Sequence, residues 1–560
     1  NEDIVAAVKE FRNRQWDGGR WLIAFASRGT VKKLEELVAR FKLETTPEAR
    51  EVIAAKVAEY DALDRKKAES VELSKKAETN FQIPGLPDGL VPYPFQRVGV
   101  EYVENHKGRA LIADDMGLGK TIQTLAWLHL HKDTRPVVVV CPASVKENWV
   151  RESQKWLHES VCVFGAKNFK TRAEFRANGS DTIPKANIYI INYDILKNKL
   201  DALRATNPQA VIYDECHYTK TWKSQRTQAS KALAAGVPHV LALSGTPLLN
   251  KPAELYSTLN LVMPGRWGRW IDYANRYCGP TEIRTPHGRV MTYNGATNTS
   301  ELQQRLREQC MIRRLKADVL PDLPPKRRLT VPLTPDPEIW RQYESALTSL
   351  YDWISAKAKA SGEDVWTALN KAERAEALVQ LGALRQLCAR AKLDSALEWL
   401  KSFVESGESK IVVYAHHREI VSAILADPDL APISVSGVDA ITRQDAVDEF
   451  AQNPVKRLFV APIMAAGVGL NLQVASDVAV LELPWRPADL QQAEDRCHRI
   501  GQQNQVTSWL LLAAGSIDEE MAERLNSKSA IAANVLDGDP EESLQASIID
   551  LVWKKREMGV

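Results

Sequence analysis

Residues 110–128 read ALIADDMGLGKTIQTLAWL, and this stretch decides the fold. An apolar run ends at Ala113, a turn holding Gly117 and Gly119 follows, and Lys120-Thr121 opens a segment with helical spacing. Consecutive backbone N–H groups in such a turn, with a helix N-terminus behind them, form a cradle for phosphate oxygens. Asp115, Met116, Gly117, Leu118 and Gly119 supply that cradle. Lys120 is placed to reach the β- and γ-phosphates of a nucleotide, and Thr121 to ligate Mg2+ through its hydroxyl. The strict pattern GxxxxGK[ST] asks for glycine at position 114, where this chain has Asp114. On this segment alone, a glycine-rich turn with an exposed lysine stays open as a plainer reading.

On either side, short β-branched runs alternate with helical stretches: RALIAD (109–114), VVVVC (137–141), IYIINY (188–193), AVIYD (210–214) and VLALSG (240–245). Such alternation predicts a parallel sheet covered on both faces. The run AVIYDECHYTK (210–220) is a buried strand ending in two acids. Asp214, at the strand's C-terminal edge, suits the Mg2+ shell, and Glu215 suits the orienting and deprotonation of an attacking water. A carboxylate pair at a strand end is by itself more often structural. Its place 94 residues beyond Lys120, in the same predicted sheet, favours catalysis. Phosphoryl transfer also needs positive charge on the γ-phosphate, commonly an arginine worth about 10³–10⁵ in rate. In QQAEDRCHRIGQ (491–502), Arg496 and Arg499 stand three apart, a spacing that predicts one helical face.

The strand–helix alternation returns after about 405 with KIVVYA (410–415), RLFVAP (457–462), VAVLEL (478–483) and TSWLLLA (507–513). The expected class is therefore α/β: two parallel-sheet units, helical insertions between them, and a small N-terminal domain. The expected boundaries are 1–85 for a small N-terminal helical or α+β domain, 86–260 for an ATP-binding first unit, 261–405 for helical protrusions and a brace, 406–530 for the second unit, and 531–560 for a helical tail. Within the insert, Trp267, Trp270, Tyr273 and Tyr277 suit either base stacking or, more commonly, the core of a protrusion. The basic stretch MIRRLKADVLPDLPPKRR (311–328) suits either a brace or a solvated helix face followed by a linker.

Bulk composition narrows the classes. Hydrophobic residues at 44% and charged residues at 26% describe an ordinary globular chain, and 560 residues exceed what one core supports. A net charge of +2 advertises no nucleic-acid partner, so any basic surface must be local. Residues 1–80 carry 16 basic and 15 acidic side chains, which suits solvated helices and not a DNA-binding arm. Seven isolated cysteines argue against a zinc ribbon or a disulfide framework and fit a reducing compartment. No apolar run approaches the roughly 20 residues that span a bilayer, and the first residues lack a secretory h-region. A cytoplasmic protein without membrane contact is expected, its small size suggesting a prokaryotic or viral source; in a eukaryote the expected compartment is the nucleus.

The motifs PFQRVGVEY, DDMGLGKTIQT, CPASVKENW, DECH, LSGTPLLN, RRLKADVLPDLPPK, AAGVGLNLQVAS and QAEDRCHRIGQ occur in this order between about 88 and 530. The set resembles the Swi/Snf-type ATPases of helicase superfamily 2. ELPWRPADLQQAEDRCHRIGQ is similar to the annealing-helicase branch, and RQWDGGRWLIAF (14–25) resembles that branch's Trp-Asp…Trp HARP module. The resemblance implies two RecA-like lobes, ATP and Mg2+ as ligands, and double-stranded DNA, forked or branched in one branch, as partner. It implies that Gln96 reads the adenine edge, and that His217, Ser244, Thr246 and Gln492 couple hydrolysis to lobe movement. It implies DNA-backbone contacts at Ser144, Lys146, Asn192, Tyr193, Gly467 and Asn471. It also implies translocation with little strand separation, and arginines supplied in the same chain, so that a monomer is competent. Cys216 stands where the family usually has alanine and Ala466 where many members have glycine. A strand-separating DNA or RNA helicase, and a catalytically silent scaffold, are the competing readings. The complete set of Lys120, Thr121, Asp214, Glu215, Arg496 and Arg499 argues against the second.

Overall fold

The valine run 137–141 is buried throughout, as a strand must be when helices cover both faces of its sheet. In the computed structural model it is β4 of a seven-stranded, all-parallel sheet. That sheet contains β3 (Arg109–Ile112), β4 (Val137–Cys141), β5 (Val161–Val163), β6 (Ile188–Asn192), β7 (Ala210–Asp214), β8 (His239–Leu243) and β11 (Met311–Ile312). Their order is β11-β3-β8-β7-β4-β6-β5. The structure describes residues 2–11, 14–25, 28–165, 183–245, 252–285, 288–293, 295–358, 371–407, 409–435, 440–463, 470–526 and 548–549 of the 560. Thr246, Ala466, Gly467 and nearly all of 531–560 lie outside the described residues.

Because β8 lies between β3 and β7, the loops that follow these three strands converge at one edge of the sheet. Ligands of open parallel sheets bind at this carboxyl edge. This RecA-like unit is lobe 1. A second parallel sheet of six strands forms lobe 2: β12 (Lys326–Leu333), β13 (Ile411–Ala415), β14 (Ile433–Ser434), β15 (Leu458–Pro462), β16 (Asp477–Val480) and β17 (Val506–Ala513), in the order β12-β17-β16-β13-β15-β14.

The segment between the lobes contributes to both sheets. β11 pairs with β3 of lobe 1, and β12 pairs over its full length with β17 of lobe 2. Between β8 and β11 the chain forms a protrusion from the helices Trp270–Tyr277 and Thr299–Gln309 and a hairpin of β9 (Thr281–Thr285) and β10 (Gly288–Thr292). Trp267, Tyr273 and Tyr277 are buried in its core and only Trp270 of the four is exposed, so the cluster packs the protrusion.

The N-terminal residues form the helices Glu2–Lys9, Arg28–Phe41 and Pro47–Leu73 and a hairpin of β1 (Arg14–Asp17) and β2 (Arg20–Ile23). Gly18 carries a positive φ of 55° in the hairpin turn, and Trp16 and Trp21 pair edge-to-face across it at 5.0 Å. The long helix docks on lobe 1 where Ser70 Oγ donates to the Arg307 carbonyl at 2.6 Å and Arg307 Nη1 donates to Ser74 Oγ at 2.9 Å. Among the described residues no helix is long and apolar enough to cross a membrane, and all seven cysteines are free and buried.

Candidate nucleotide site and its two-lobe assembly

The loop after β3 carries the phosphate-cradle residues. Gly117 and Gly119 have φ of 83° and 74°, left-handed values that favour glycine. Gly119 immediately precedes the helix Lys120–Leu130, and a Cβ there would lie 2.3 Å from Gln96 Nε2. Gln96 is buried; its Oε1 accepts from Tyr93 N at 2.9 Å and its Nε2 donates to the Leu118 carbonyl at 3.2 Å. Gln96 thus fastens the loop from beneath. Lys120 Nζ donates to the carbonyls of Asp114 (2.9 Å) and Asp115 (3.3 Å), folded over the space the cradle encloses. Burial lowers the Lys120 pKa, opposed by the field of Glu215, Asp114, Asp214 and Asp115.

Asp114, the departure from the glycine pattern, is fully buried against Arg314. Arg314 Nε and backbone N each donate to Asp114 Oδ1 at 3.0 Å, Nη2 donates to Oδ2, and Gln123 Nε2 donates to Oδ2 at 2.9 Å. A buried carboxylate with this many donors is compensated. Position 114 therefore anchors the loop to the segment after β11. Beside it, Asp115 Oδ2 accepts from Lys316 N at 3.1 Å and Oδ1 lies 3.5 Å from Arg313 Nη2.

At the end of β7, Asp214 Oδ2 accepts from Trp149 Nε1 at 2.7 Å and Oδ1 accepts from Glu215 N at 3.0 Å. Burial, reinforced by neighbouring Glu215, pushes the Asp214 pKa up to about 6. Glu215 has a left-handed φ of 48°, a strained value for a non-glycine residue, of the kind that clusters at functional sites. Burial raises its pKa, but His217, Lys120 and Arg496 outweigh that and hold it below the ordinary carboxylate value. His217 Nδ1 stands 3.3 Å from Glu215 Oε2, without the alignment of a hydrogen bond. The fully buried Ser244 follows β8, where its N–H donates to the Ile112 carbonyl at 3.1 Å.

Lobe 2 brings its arginines to the same place. The helix Pro487–Glu494 ends before them, so Arg496 and Arg499 stand on successive tight turns and not on one helical face as their spacing predicted. The helix stops because Glu494 and Asp495 are drawn into a buried ionic cluster. Arg328 grips Glu494 with both arms (2.6 and 3.0 Å), Lys326 reaches Glu494 at 2.8 Å and Asp495 at 3.1 Å, and Lys316 reaches Asp495 at 2.9 Å. Arg496 lies in the field of Glu215 and Asp214, although burial is the largest influence and lowers its pKa. Burial, and then Arg496, lower Arg499 to about 10. A Cβ on Gly117 would stand 3.0 Å from the Cβ of Arg499, so the second lobe touches the phosphate loop.

Between the lobes runs a cavity of about 650 Å³ lined by Glu215, His217 and Tyr218 from lobe 1 and by Arg486 and Gln492 from lobe 2. Of the residues expected at DNA, Lys146 is buried and donates to the Phe164 carbonyl at 2.8 Å and Asn192 Oδ1 at 3.2 Å. Tyr193 is buried with its hydroxyl on the Asp214 carbonyl at 2.8 Å. These three side chains are used inside lobe 1, whereas Ser144 is half-buried and Asn471 exposed. Tyr193 also lines the cavity, beside Tyr218, whose ring stacks on it, and Arg226, paired with Asp194 at 2.5 Å. Sequence reading missed Tyr218 and Arg226, along with Arg314 and Trp149, whose partners lie far away in the chain.

A model of the SNF2-related domain matches residues 22–393, and one of the helicase conserved C-terminal domain matches 392–501. The chain belongs to the SNF2-related family. It is 33% identical over 527 residues to the Xenopus tropicalis SWI/SNF-related matrix-associated actin-dependent regulator of chromatin subfamily A-like protein 1, covering 92% of this chain and 52% of that protein. It is 31% identical over 494 residues to the Mus musculus DNA annealing helicase and endonuclease ZRANB3, covering 86% of this chain and 44% of that one. This SNF2-related chain thus spans about half the length of the curated relatives it matches. Both relatives are animal proteins, so a prokaryotic or viral source draws no support from them. Among solved structures, the Sulfolobus solfataricus SWI2/SNF2 ATPase core in complex with dsDNA matches at 23% identity and a TM-score of 0.36, covering 84% of this chain and 97% of that one.

Proposed function

We propose that this SNF2-related chain is a DNA-stimulated ATPase that moves along double-stranded DNA and acts on forked or annealing strands. One arrangement carries the reading: Gly117 of the phosphate loop meets Arg499 of lobe 2, and Glu215 of lobe 1 lines one cleft with Arg486 and Gln492 of lobe 2. Glu215, held ionised by its cationic neighbours, is the group that takes the proton as water attacks the γ-phosphorus and the bond to the β-phosphate oxygen breaks. Lys120 leaves the loop carbonyls for the phosphates. Arg496 and Arg499 stabilise the charge that spreads over the equatorial oxygens.

Thr121 and Asp214 would hold Mg2+, an ion that takes one or two protein oxygens and completes its shell with phosphates and water. When bound, it would neutralise charge on the β- and γ-phosphates. The donor set fits: Thr121 follows Lys120 in the first turn of the helix behind the cradle, and Asp214 ends β7 within the field of Lys120. Among the described residues no group of three or more His, Cys, Asp or Glu forms a separate metal site.

Since the arginines and the phosphate loop belong to one chain, a single copy supplies the whole site. The relative named as a DNA annealing helicase supports the annealing part of the proposal. The test is ATP hydrolysis measured without nucleic acid and with duplex, single-stranded and forked DNA and RNA. Stimulation by duplex DNA, rising on forks and small with RNA, is the expected pattern. Stimulation mainly by single strands or RNA would replace this reading with a strand-separating helicase.

A further inference from the structure

We infer that Trp149 is a positioning residue for the carboxylate that meets the metal: its indole N–H fixes the rotation of the Asp214 side chain. The inference rests on the reading of Asp214 given above. Trp149 stands in the first turn of the helix Lys146–Leu157 with its side chain fully buried, and its Nε1 donates to Asp214 Oδ2 at 2.7 Å. The other oxygen, Oδ1, accepts from Glu215 N at 3.0 Å, and the carbonyl of Asp214 accepts from Tyr193 Oη at 2.8 Å.

One donor on each oxygen sets the plane of the carboxylate and leaves each oxygen a further lone pair for the metal's shell. Indole nitrogen donates and never accepts, so the direction of this bond is unambiguous. Apolar packing does not call for that nitrogen. Trp149 sits in a core cluster with Cys141, Val145, Ile190 and Ile212, where contact alone asks for a ring and not for an N–H. Elsewhere in lobe 1, Trp127 Nε1 and Trp156 Nε1 donate to glutamates Glu104 and Glu152, which are not in the cradle. Of these three, Trp149 alone donates to the carboxylate assigned to the metal. Partners that orient a metal ligand typically contribute about 10–100-fold to metal affinity or activity.

The experiment compares the full chain with Trp149→Phe, Trp149→His and Asp214→Asn. Binding of a fluorescent, non-hydrolysable ATP analogue is measured in EDTA and then as Mg2+ is added, with duplex affinity and the denaturant midpoint recorded alongside. For Trp149→Phe the expected result is unchanged binding in EDTA, unchanged duplex affinity, and about a tenfold increase in the Mg2+ needed for the metal-dependent gain. Trp149→His, which restores an N–H donor on a smaller ring, should recover part of that shift. A normal Mg2+ requirement in Trp149→Phe, with a shifted one in Asp214→Asn, overturns the role of Trp149 and leaves the site intact. Equal loss of binding in EDTA and in Mg2+ for both Trp149 variants overturns it in favour of packing. No shift in Asp214→Asn overturns the reading of Asp214 as the metal's carboxylate.

Discussion

Asp114 and Arg314, 200 residues apart in the chain, form a buried ion pair that joins the phosphate loop to the segment leading into lobe 2. Removing one partner of such a pair strands the other charge, at a cost of about 3–5 kcal/mol. Arg314→Met should therefore lower the unfolding free energy by that amount, read from urea denaturation. Adding Asp114→Leu should recover most of it, because an apolar pair leaves no charge buried. Recovery of stability without recovery of nucleotide binding would separate the loop's shape from its mere integrity.

Lys120→Ala should reduce ATP hydrolysis to background while duplex binding stays close to that of the unaltered chain. The lysine's partners are two backbone carbonyls, which water replaces at little cost. Normal hydrolysis in this variant, measured by phosphate release, would remove the proposed site.

Arg496→Ala should lower kcat by about 10³ or more, with a much smaller change in nucleotide affinity. Arg499→Ala should do less, since its Nη1 also bonds the Leu470 carbonyl at 3.3 Å and part of its role is to hold the lobe-2 turns together. Single-turnover hydrolysis with saturating ATP distinguishes the two.

Glu494 yields a pH prediction. Burial would raise its pKa, but Lys326 and Arg328 hold it below the ordinary 4.5. Under 4.5 the unfolded chain then binds more protons at this residue than the folded one, so its stabilising contribution, complete above that pH, is lost as pH falls through the folded value. Denaturant midpoints of Glu494→Gln should fall less steeply with acid below pH 4.5 than those of the unaltered chain.

Much of this was legible in the sequence because it is local. β4 and β7 fall where the valine run and AVIYD place them, and the two ends of the nucleotide site follow from strands that stop at Asp214 and at the glycine turn. β12 was not legible as a strand. KRRLTVPL opens with three cations and contains Pro332, and only its pairing with β17 makes it one. Arg314 was equally hidden, since a charge in a basic stretch shows nothing of a carboxylate 200 residues away. The helical face expected for Arg496 and Arg499 failed for the same reason: the cations that end that helix at Glu494 come from the segment between the lobes. Lys146, Asn192 and Tyr193, expected at DNA, bond one another and Asp214 within lobe 1, and Tyr193 also lines the cavity between the lobes.

Lys316 has its backbone N–H on Asp115 of lobe 1 and its ammonium on Asp495 and the His498 carbonyl of lobe 2. One tie between the two lobes is thus the four-carbon stem of a lysine, beside the ion pair of Arg151 in lobe 1 with Asp448 in lobe 2 at 3.4 Å. Such a tie yields readily to swivelling and resists pulling apart, because its torsions are soft and its length is fixed. A stroke that only rotates lobe 2 can proceed with the tie intact. A movement that lifts lobe 2 from the phosphate loop must first break it, so the reach of Lys316 limits how far that loop and the turn at Asp495 can part.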